Sequence, residues 1–448
     1  MFCSKPRNMP ANLEGCYFFI KTFGCQMNEN DSEHVAGLLI RAGAAKARSP
    51  EESDVILVNT CAVRKKSEDK IDSFLGRLSP LKKDRDRLIG VLGCVAQLRR
   101  KDLFKKRPEI DIIVGPDHYH ELAALLSQKR EGKLLKTSWN RAWHEIGSAE
   151  TLRESRVSAY VPIMEGCDNF CAYCVVPFSR GREKCRPMEG VLAEVLDLAK
   201  NGYKEIQLLG QNVNSYRDPG RGEDFAGLLK MVSRVEEIEW IRFISSHPKD
   251  LSPEIARTMA DRPNICRQLH LPLQSGSTAV LARMNRGYTR EEYLEKAALL
   301  KSLMPDIALS TDIIVGFPGE TDADFEETLD ALKKVEFSNI FSFRYSPRPR
   351  TAASKIRDDI PLDVKRKRLI VLQELQKDIQ LAGNRTLIGK TLKVLCLGES
   401  KKGAGRYSGR SEGFQVVNFS STRDVRDRFI DVLITGCGSY SLHGEANL

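Results

Sequence analysis

No run of the 448-residue chain is apolar for long enough to cross a membrane, and the opening Met-Phe-Cys-Ser-Lys-Pro-Arg-Asn-Met-Pro holds no apolar core of signal-peptide length. These two absences predict a cytoplasmic protein with no membrane partner. Acidic residues are outnumbered, 60 against 70 Lys and Arg, and the net charge of +10 points weakly to a polyanionic partner. The basic runs at 64–66, 82–87 and 99–106 are the places where that charge gathers, with a solvated helix face as the competing reading. Also missing is a second cysteine knuckle beside the densest cysteine cluster, which disfavours a paired-knuckle zinc site. The hydrophobic content of 41% is ample for a core in each of roughly two to four domains.

What the chain does hold is 12 cysteines. In a reducing compartment they argue against a disulfide framework and for metal or redox use. Cys167, Cys171 and Cys174 fall in Glu-Gly-Cys-Asp-Asn-Phe-Cys-Ala-Tyr-Cys-Val-Val-Pro-Phe-Ser-Arg-Gly-Arg, a C-x3-C-x2-C spacing. Three thiolates this close can hold three irons of a [4Fe-4S] cube and leave the fourth open to a substrate or cofactor. The competing readings are zinc, with Cys185 as a fourth ligand, and unliganded core thiols. Gly166, Asp168 and Asn169 share the loop and are turn formers rather than packing residues, which weighs against the latter.

Residues 16–133 alternate short apolar runs (17–21, 54–59, 88–93, 110–115) with helix-period segments, the pattern of an open parallel α/β domain. Cys25, Cys61 and Cys94 each lie just past a strand, in the turn before its helix, and so share the edge of the sheet where ligands bind. This predicts a second three-cysteine cluster with an open iron; independent buried thiols are the alternative. Residues 134–156, with Trp139 and Trp143 but no clear period, read as a linker.

Residues 157–383 carry six further βα units, with strands at 160–164, 205–210, 240–245, 268–273, 308–316 and 339–345, an incomplete TIM-like barrel. Its strand ends are polar: Gln211, Asn212 and Asn214, then Ser245, Ser246 and His247, then Gln274 and Ser275, with Asp312 inside the fifth strand. Such residues either face a ligand at the mouth or cap the following helices. A closing helix over 361–383 puts Leu369, Leu372 and Leu375 on its apolar side. From 384 to 448 short alternating strands (391–396, 414–419, 428–434) predict a small antiparallel β-barrel, a class that often binds RNA. The fold class is α/β throughout, with this all-β module at its end.

Taken together, these motifs resemble those of the radical S-adenosylmethionine (SAM) methylthiotransferases from Cys16 to Gly444. The first domain resembles the family's amino-terminal domain, residues 157–383 its radical SAM core, and the last its TRAM domain, through Gly409-Arg410 and Val417-Asn418-Phe419. Cys-Gln-Met-Asn-Glu-Asn-Asp-Ser-Glu at Cys25 and the wording around Gly166 are similar to the branch that methylthiolates C2 of N6-isopentenyladenosine at position 37 of tRNA. Sister branches act on threonylcarbamoyladenosine in tRNA or on a ribosomal protein, and a non-catalytic iron-sulfur RNA-binding protein is the alternative from another class.

The resemblance implies two [4Fe-4S] clusters: one on Cys167, Cys171 and Cys174, where SAM is cleaved to a radical, and one on Cys25, Cys61 and Cys94, carrying the sulfur to be transferred. It implies a second SAM as methyl donor, an external electron donor, a sulfur donor and tRNA as partners. With SAM as the ligand at the mouth, Tyr173 of the cysteine loop and the polar strand-end residues Gln211, Asn212, Ser245, His247, Gln274 and Asp312 are the expected contacts, helix capping remaining the alternative for the latter. Radical chemistry suits the target, because an adenine C2–H is neither acidic nor electrophilic and the cofactor must carry the hard step. The chain departs from the family's usual pattern at Cys185, commonly Ser, and at Arg350, commonly Gly.

Overall fold

The computed structural model describes residues 13–447 apart from 63–64, 85, 129–131, 141, 146, 148–150 and 401–404. The basic run at 64–66 lies outside the described side chains. Among the described residues no helix is long and apolar enough to cross a membrane.

The first domain is a six-stranded, wholly parallel sheet in the order Ala45–Lys46, Tyr17–Phe23, Val55–Thr60, Leu88–Gly93, Ile112–Val114, Leu134–Lys136. Every residue of Val55–Thr60 is buried, as a central parallel strand covered on both faces requires. Leu134–Lys136 corrects the expected boundary at 133. It pairs with Ile112–Val114 as an edge strand and so belongs to the sheet, too short to show a period in sequence. Described residues in the rest of the expected linker are tied to both neighbouring units. Leu152 donates its N–H to the Glu33 carbonyl, Lys46 pairs with Glu154, and Glu145 pairs with Arg186 of the core.

Six parallel strands follow in two sheets of three. Ser158–Pro162, Glu205–Leu209 and Trp240–Phe243 form one, and Gln268–His270, Ala308–Val315 and Asn339–Arg344 the other. An isolated bridge, Ile241 to Ile265, links the first sheet to the segment that leads into the second. Among the described residues no pairing closes the last strand onto the first, so the barrel stays open, and helix Gln26–Arg41 of the first domain packs beside its first strand. Tyr160 donates its hydroxyl to Glu29 across that seam at 2.7 Å. Helix Leu362–Arg385 covers the barrel with Leu372 fully buried, and its Arg368 reaches Glu320 at 2.7 Å.

The last module is a closed five-stranded barrel, ordered Thr391–Glu399, Arg406–Ser411, Val416–Ser420, Leu442–Asn447, Phe429–Cys437. Four of its pairings are antiparallel and one, Val416–Ser420 with Leu442–Asn447, is parallel. The exception is forced: strand directions cannot alternate all the way round a ring with an odd number of members.

This barrel docks on the strand starts of the core, the end opposite the cysteine loop. Arg242 donates to the Ser411 and Glu412 carbonyls, pairs with Glu205 at 2.6 Å and stacks on Trp240, which meets Phe429 edge-on at 4.5 Å. Arg242 is only 2% exposed. Arg242→Met leaves Glu205 buried and unpaired, at a cost of about 3–5 kcal/mol. Limited proteolysis between the core helix and Thr391 is expected to accelerate in that variant; unchanged cleavage would mean the docking does not need the ion pair.

Arg350 stands at φ 71°, the left-handed region that glycine enters freely. The family's usual Gly and this chain's Arg therefore serve the same turn. Arg350→Gly is expected to raise thermal stability by about 1 kcal/mol, and a lower melting temperature would contradict this.

Candidate active site

The parallel register aligns the ends of three adjacent strands, with Phe23 opposite Thr60 and Thr60 opposite Gly93. Cys25, Cys61 and Cys94 follow those residues directly or nearly so, and the sheet gathers them at one edge although they are far apart in sequence. Gly93 makes the turn at φ 89°, where a Cβ would lie 2.5 Å from the Thr60 carbonyl oxygen. Cys25 is exposed to solvent, and its thiol donates to Asn28 Oδ1 at 3.4 Å. A hydrogen bond from the Cys61 thiol, assisted by backbone N–H groups and the Arg180 charge, lowers its pKa to about 6. Burial pushes the Cys94 thiol up, and Arg180 opposes it.

The second triad sits on the loop that leaves the barrel mouth. Gly166 turns that loop at φ 81°, with its N–H donated to Gln211 Oε1 at 2.5 Å; a Cβ there would lie 2.0 Å from the Arg182 carbonyl oxygen. Cys167 donates its N–H to Gly181, Ala172 to Met284, and Asn285 donates its side-chain amide to the Phe170 carbonyl. Burial pushes the Cys167 and Cys174 thiols up to about 11 and about 12, with the neighbouring thiols adding to the shift.

Arg286 is buried beside them and donates to Cys171 Sγ at 3.3 Å and to the Pro272 carbonyl. His247 accepts from the Lys249 N–H on Nδ1, which leaves the proton on Nε2, 3.8 Å from Cys171 Sγ. Burial holds this imidazole neutral, with its pKa pushed down to about 2.

The donor set of each triad suits an iron-sulfur cluster. Each triad offers three thiols with a guanidinium beside them, and metal binding is what deprotonates such ligands. Among the described residues no three His, Cys, Asp or Glu side chains converge as the ligands of a single ion do. Thiolates on different irons of a cube need not converge in that way. Cys185, the fourth ligand of the zinc reading, accepts the Arg217 N–H at 3.5 Å and packs against the barrel core instead.

The remaining expected residues gather at the same mouth in differing roles. Tyr173 lies next to Arg286, Cys171 and Cys174. Asn212 donates to Asp250 at 2.7 Å and accepts the His247 N–H, so its amide braces the loops. Ser245 and Gln274 hold left-handed backbones, φ 67° and 71°, at the ends of the third and fourth strands. Strain of this kind concentrates at ligand sites. Asp312 pairs with His270 at 3.4 Å inside the barrel.

Two basic residues expected to face a polyanion are structural instead. Arg87 is buried and donates to the Ser53, Glu51 and Leu81 carbonyls, and Lys82 pairs with Asp111 at 2.5 Å. Arg180 and Arg286 were missed as site residues. Arg180 stands inside the cysteine motif, where its charge was a usable signal; Arg286 follows a helix end and gave none.

The two triads meet at one joint. Val175, next to Cys174, is buried in the hydrophobic core of the first domain with Val58, Val91 and Cys94. Five residues on, Arg180 pairs with Asp31 of the first domain at 2.5 Å. The loop of one triad is thus packed into the domain of the other.

Residues 17–115 match the model of "Uncharacterized protein family UPF0004", and residues 161–332 that of the "Radical SAM superfamily". The chain is 46% identical over 431 residues to the tRNA-2-methylthio-N(6)-dimethylallyladenosine synthase of Pelodictyon phaeoclathratiforme, covering 96% of this chain and 98% of the relative. It is 42% identical over 446 residues to the protein of the same name from Clostridium novyi, covering 98% of each. Among solved structures, the radical SAM methyltransferase TsrM of Kitasatospora setae aligns with a TM-score of 0.56 at 14% identity, over 76% of this chain and 75% of that one. The cobalamin-dependent radical SAM enzyme OxsB aligns with a TM-score of 0.53 at 14% identity, over 81% of this chain and 56% of that one. The structural likenesses establish the fold alone. The near full-length identities go further: the chain belongs to the radical SAM methylthiotransferases, in the family of the tRNA-2-methylthio-N(6)-dimethylallyladenosine synthases.

Proposed function

We propose that this protein methylthiolates C2 of N6-isopentenyladenosine at position 37 of tRNA, in the cytoplasm, with an external electron donor and a sulfur donor as further partners. The observation that carries the reading is the joint between the two cysteine motifs: Val175, next to Cys174, packs with Cys94 in the first domain's core, and Arg180 of the same loop pairs with Asp31. Cys167, Cys171 and Cys174 hold one [4Fe-4S] cluster and Cys25, Cys61 and Cys94 the other. When bound, these clusters and SAM supply the radical that removes the C2 hydrogen and the sulfur and methyl that replace it.

The chain's own residues do the rest by position. Arg286 and the His247 Nε2–H donate toward the Cys171 sulfur and so orient it. Tyr173, Ser245, Gln274 and Asp312 line the mouth for SAM, while Gln211 and Asn212 act through the loops that they brace. An anticodon-loop base can be splayed out at a cost of about a few kcal/mol and read by stacking and edge contacts. Domain limits follow the same division: a first domain to Lys136, a tethered connection, the core to Gly383 and the TRAM-like barrel from Asn384. That barrel sits roughly 20 Å from the mouth, one strand length of about six residues. Its part is to hold the tRNA body at a distance.

Anaerobic reconstitution is expected to give about eight irons per chain, four for each cluster, and methylthio product on an anticodon stem-loop bearing N6-isopentenyladenosine. Cys61→Ala is expected to lower the iron to about four and abolish product while SAM cleavage continues. About four irons in the unsubstituted protein, or product on threonylcarbamoyladenosine RNA instead, would overturn the reading. Removal of residues 384–448 is expected to weaken tRNA binding and flatten its salt dependence without changing iron content; unchanged affinity would remove the barrel from RNA binding.

A further inference from the structure

Arg180 belongs by sequence to the loop of one triad and by contact to the other. It follows Cys174 closely on the core's cysteine loop, yet its guanidinium is 96% removed from solvent inside the first domain's site, being 4% exposed. There it pairs with Asp31 at 2.5 Å on one nitrogen and 3.4 Å on the other, and reaches Glu165 at 3.9 Å. The short helix Val176–Ser179 just before it packs against helix Cys94–Arg99, so its charge acts through space on Cys94 and Cys25. The Tyr119 hydroxyl, buried in the same neighbourhood, has no hydrogen-bond partner. The cation facing the other triad is Arg286, carried by the core itself. Among the described residues each triad thus has a guanidinium beside it, and the first domain's is supplied by the core.

We infer that Arg180 is a positioning residue which, delivered by the core's cysteine loop, compensates the charge at Cys25 and Cys94 and thereby sets the reduction potential of the group that these thiols and Cys61 hold. This rests on the reading that the triad holds an iron-sulfur cluster. Three thiolates make such a group anionic, and its potential responds to net charge and to hydrogen bonds on its sulfurs. A fixed cation favours the reduced, more negative form and raises the potential. A fixed anion such as Asp31 does the reverse. Because the ion pair also crosses the domain boundary, displacement of the core's loop would withdraw the cation from the first domain's thiols.

The test is a redox titration of the reconstituted full-length protein, following the two clusters by electron paramagnetic resonance, in Arg180→Gln, Arg180→Lys and Asp31→Asn. Arg180→Gln is expected to shift one midpoint negative and leave the other in place. Arg180→Lys, which keeps the charge, is expected to restore most of the shift. Asp31→Asn removes the opposing charge and is expected to shift the same midpoint positive.

Opposite signs are the signature of an electrostatic role, because loosening of the joint would move both variants the same way. Shifts of the same sign in Arg180→Gln and Asp31→Asn, or midpoints unmoved in protein holding about eight irons, would overturn the assignment alone. About four irons in the unsubstituted protein would instead overturn the cluster reading and this assignment with it.

Discussion

The pairing of Arg180 with Asp31, buried beside Val175, is the contact on which the geometry of both cysteine sites depends. Neither triad is built by one domain acting alone. The first domain gathers Cys25, Cys61 and Cys94 by strand register, but the cation beside them arrives from the core. The core's own loop, in turn, is anchored by a valine that it gives up to the first domain's hydrophobic core. Burying that side chain contributes about 1.5–3 kcal/mol, and breaking a buried ion pair costs about 3–5 kcal/mol.

The open barrel makes this arrangement possible. A closed TIM barrel would bury the flank of its first strand against its last, whereas here helix Gln26–Arg41 takes that place and Tyr160 bonds to Glu29 across it. The missing strands are replaced by a domain that carries thiols. The all-β module, by contrast, is attached to the strand starts through Arg242, Trp240 and Phe429, away from the chemistry. That division matches the general rule that the C-terminal mouth of such barrels carries function and the opposite end carries stability.

Two departures from the family's usual pattern resolve differently. Cys185 packs against the barrel core and accepts a backbone N–H, so a thiol there is an acceptable filler. Arg350 occupies a left-handed turn at some conformational cost, and nothing in the structure explains why it replaced glycine.

Most of the fold was legible in the sequence because apolar runs of strand length followed by helix-period segments report directly on burial. All six strands of the core and the βα units bearing Cys25, Cys61 and Cys94 lie where those periods put them. Strand Leu134–Lys136 was not, since three residues are too few to show a period. Nor was the parallel pairing in the last barrel, which follows from ring closure rather than from any local pattern. The same distinction runs through the site. The identity and spacing of the thiols are local properties, and the sequence by itself determined them. Which cations stand beside those thiols, and that Arg180 of one loop serves the triad of another domain, was decided only by tertiary structure, because charge compensation depends on distances through space that no spacing along the chain records.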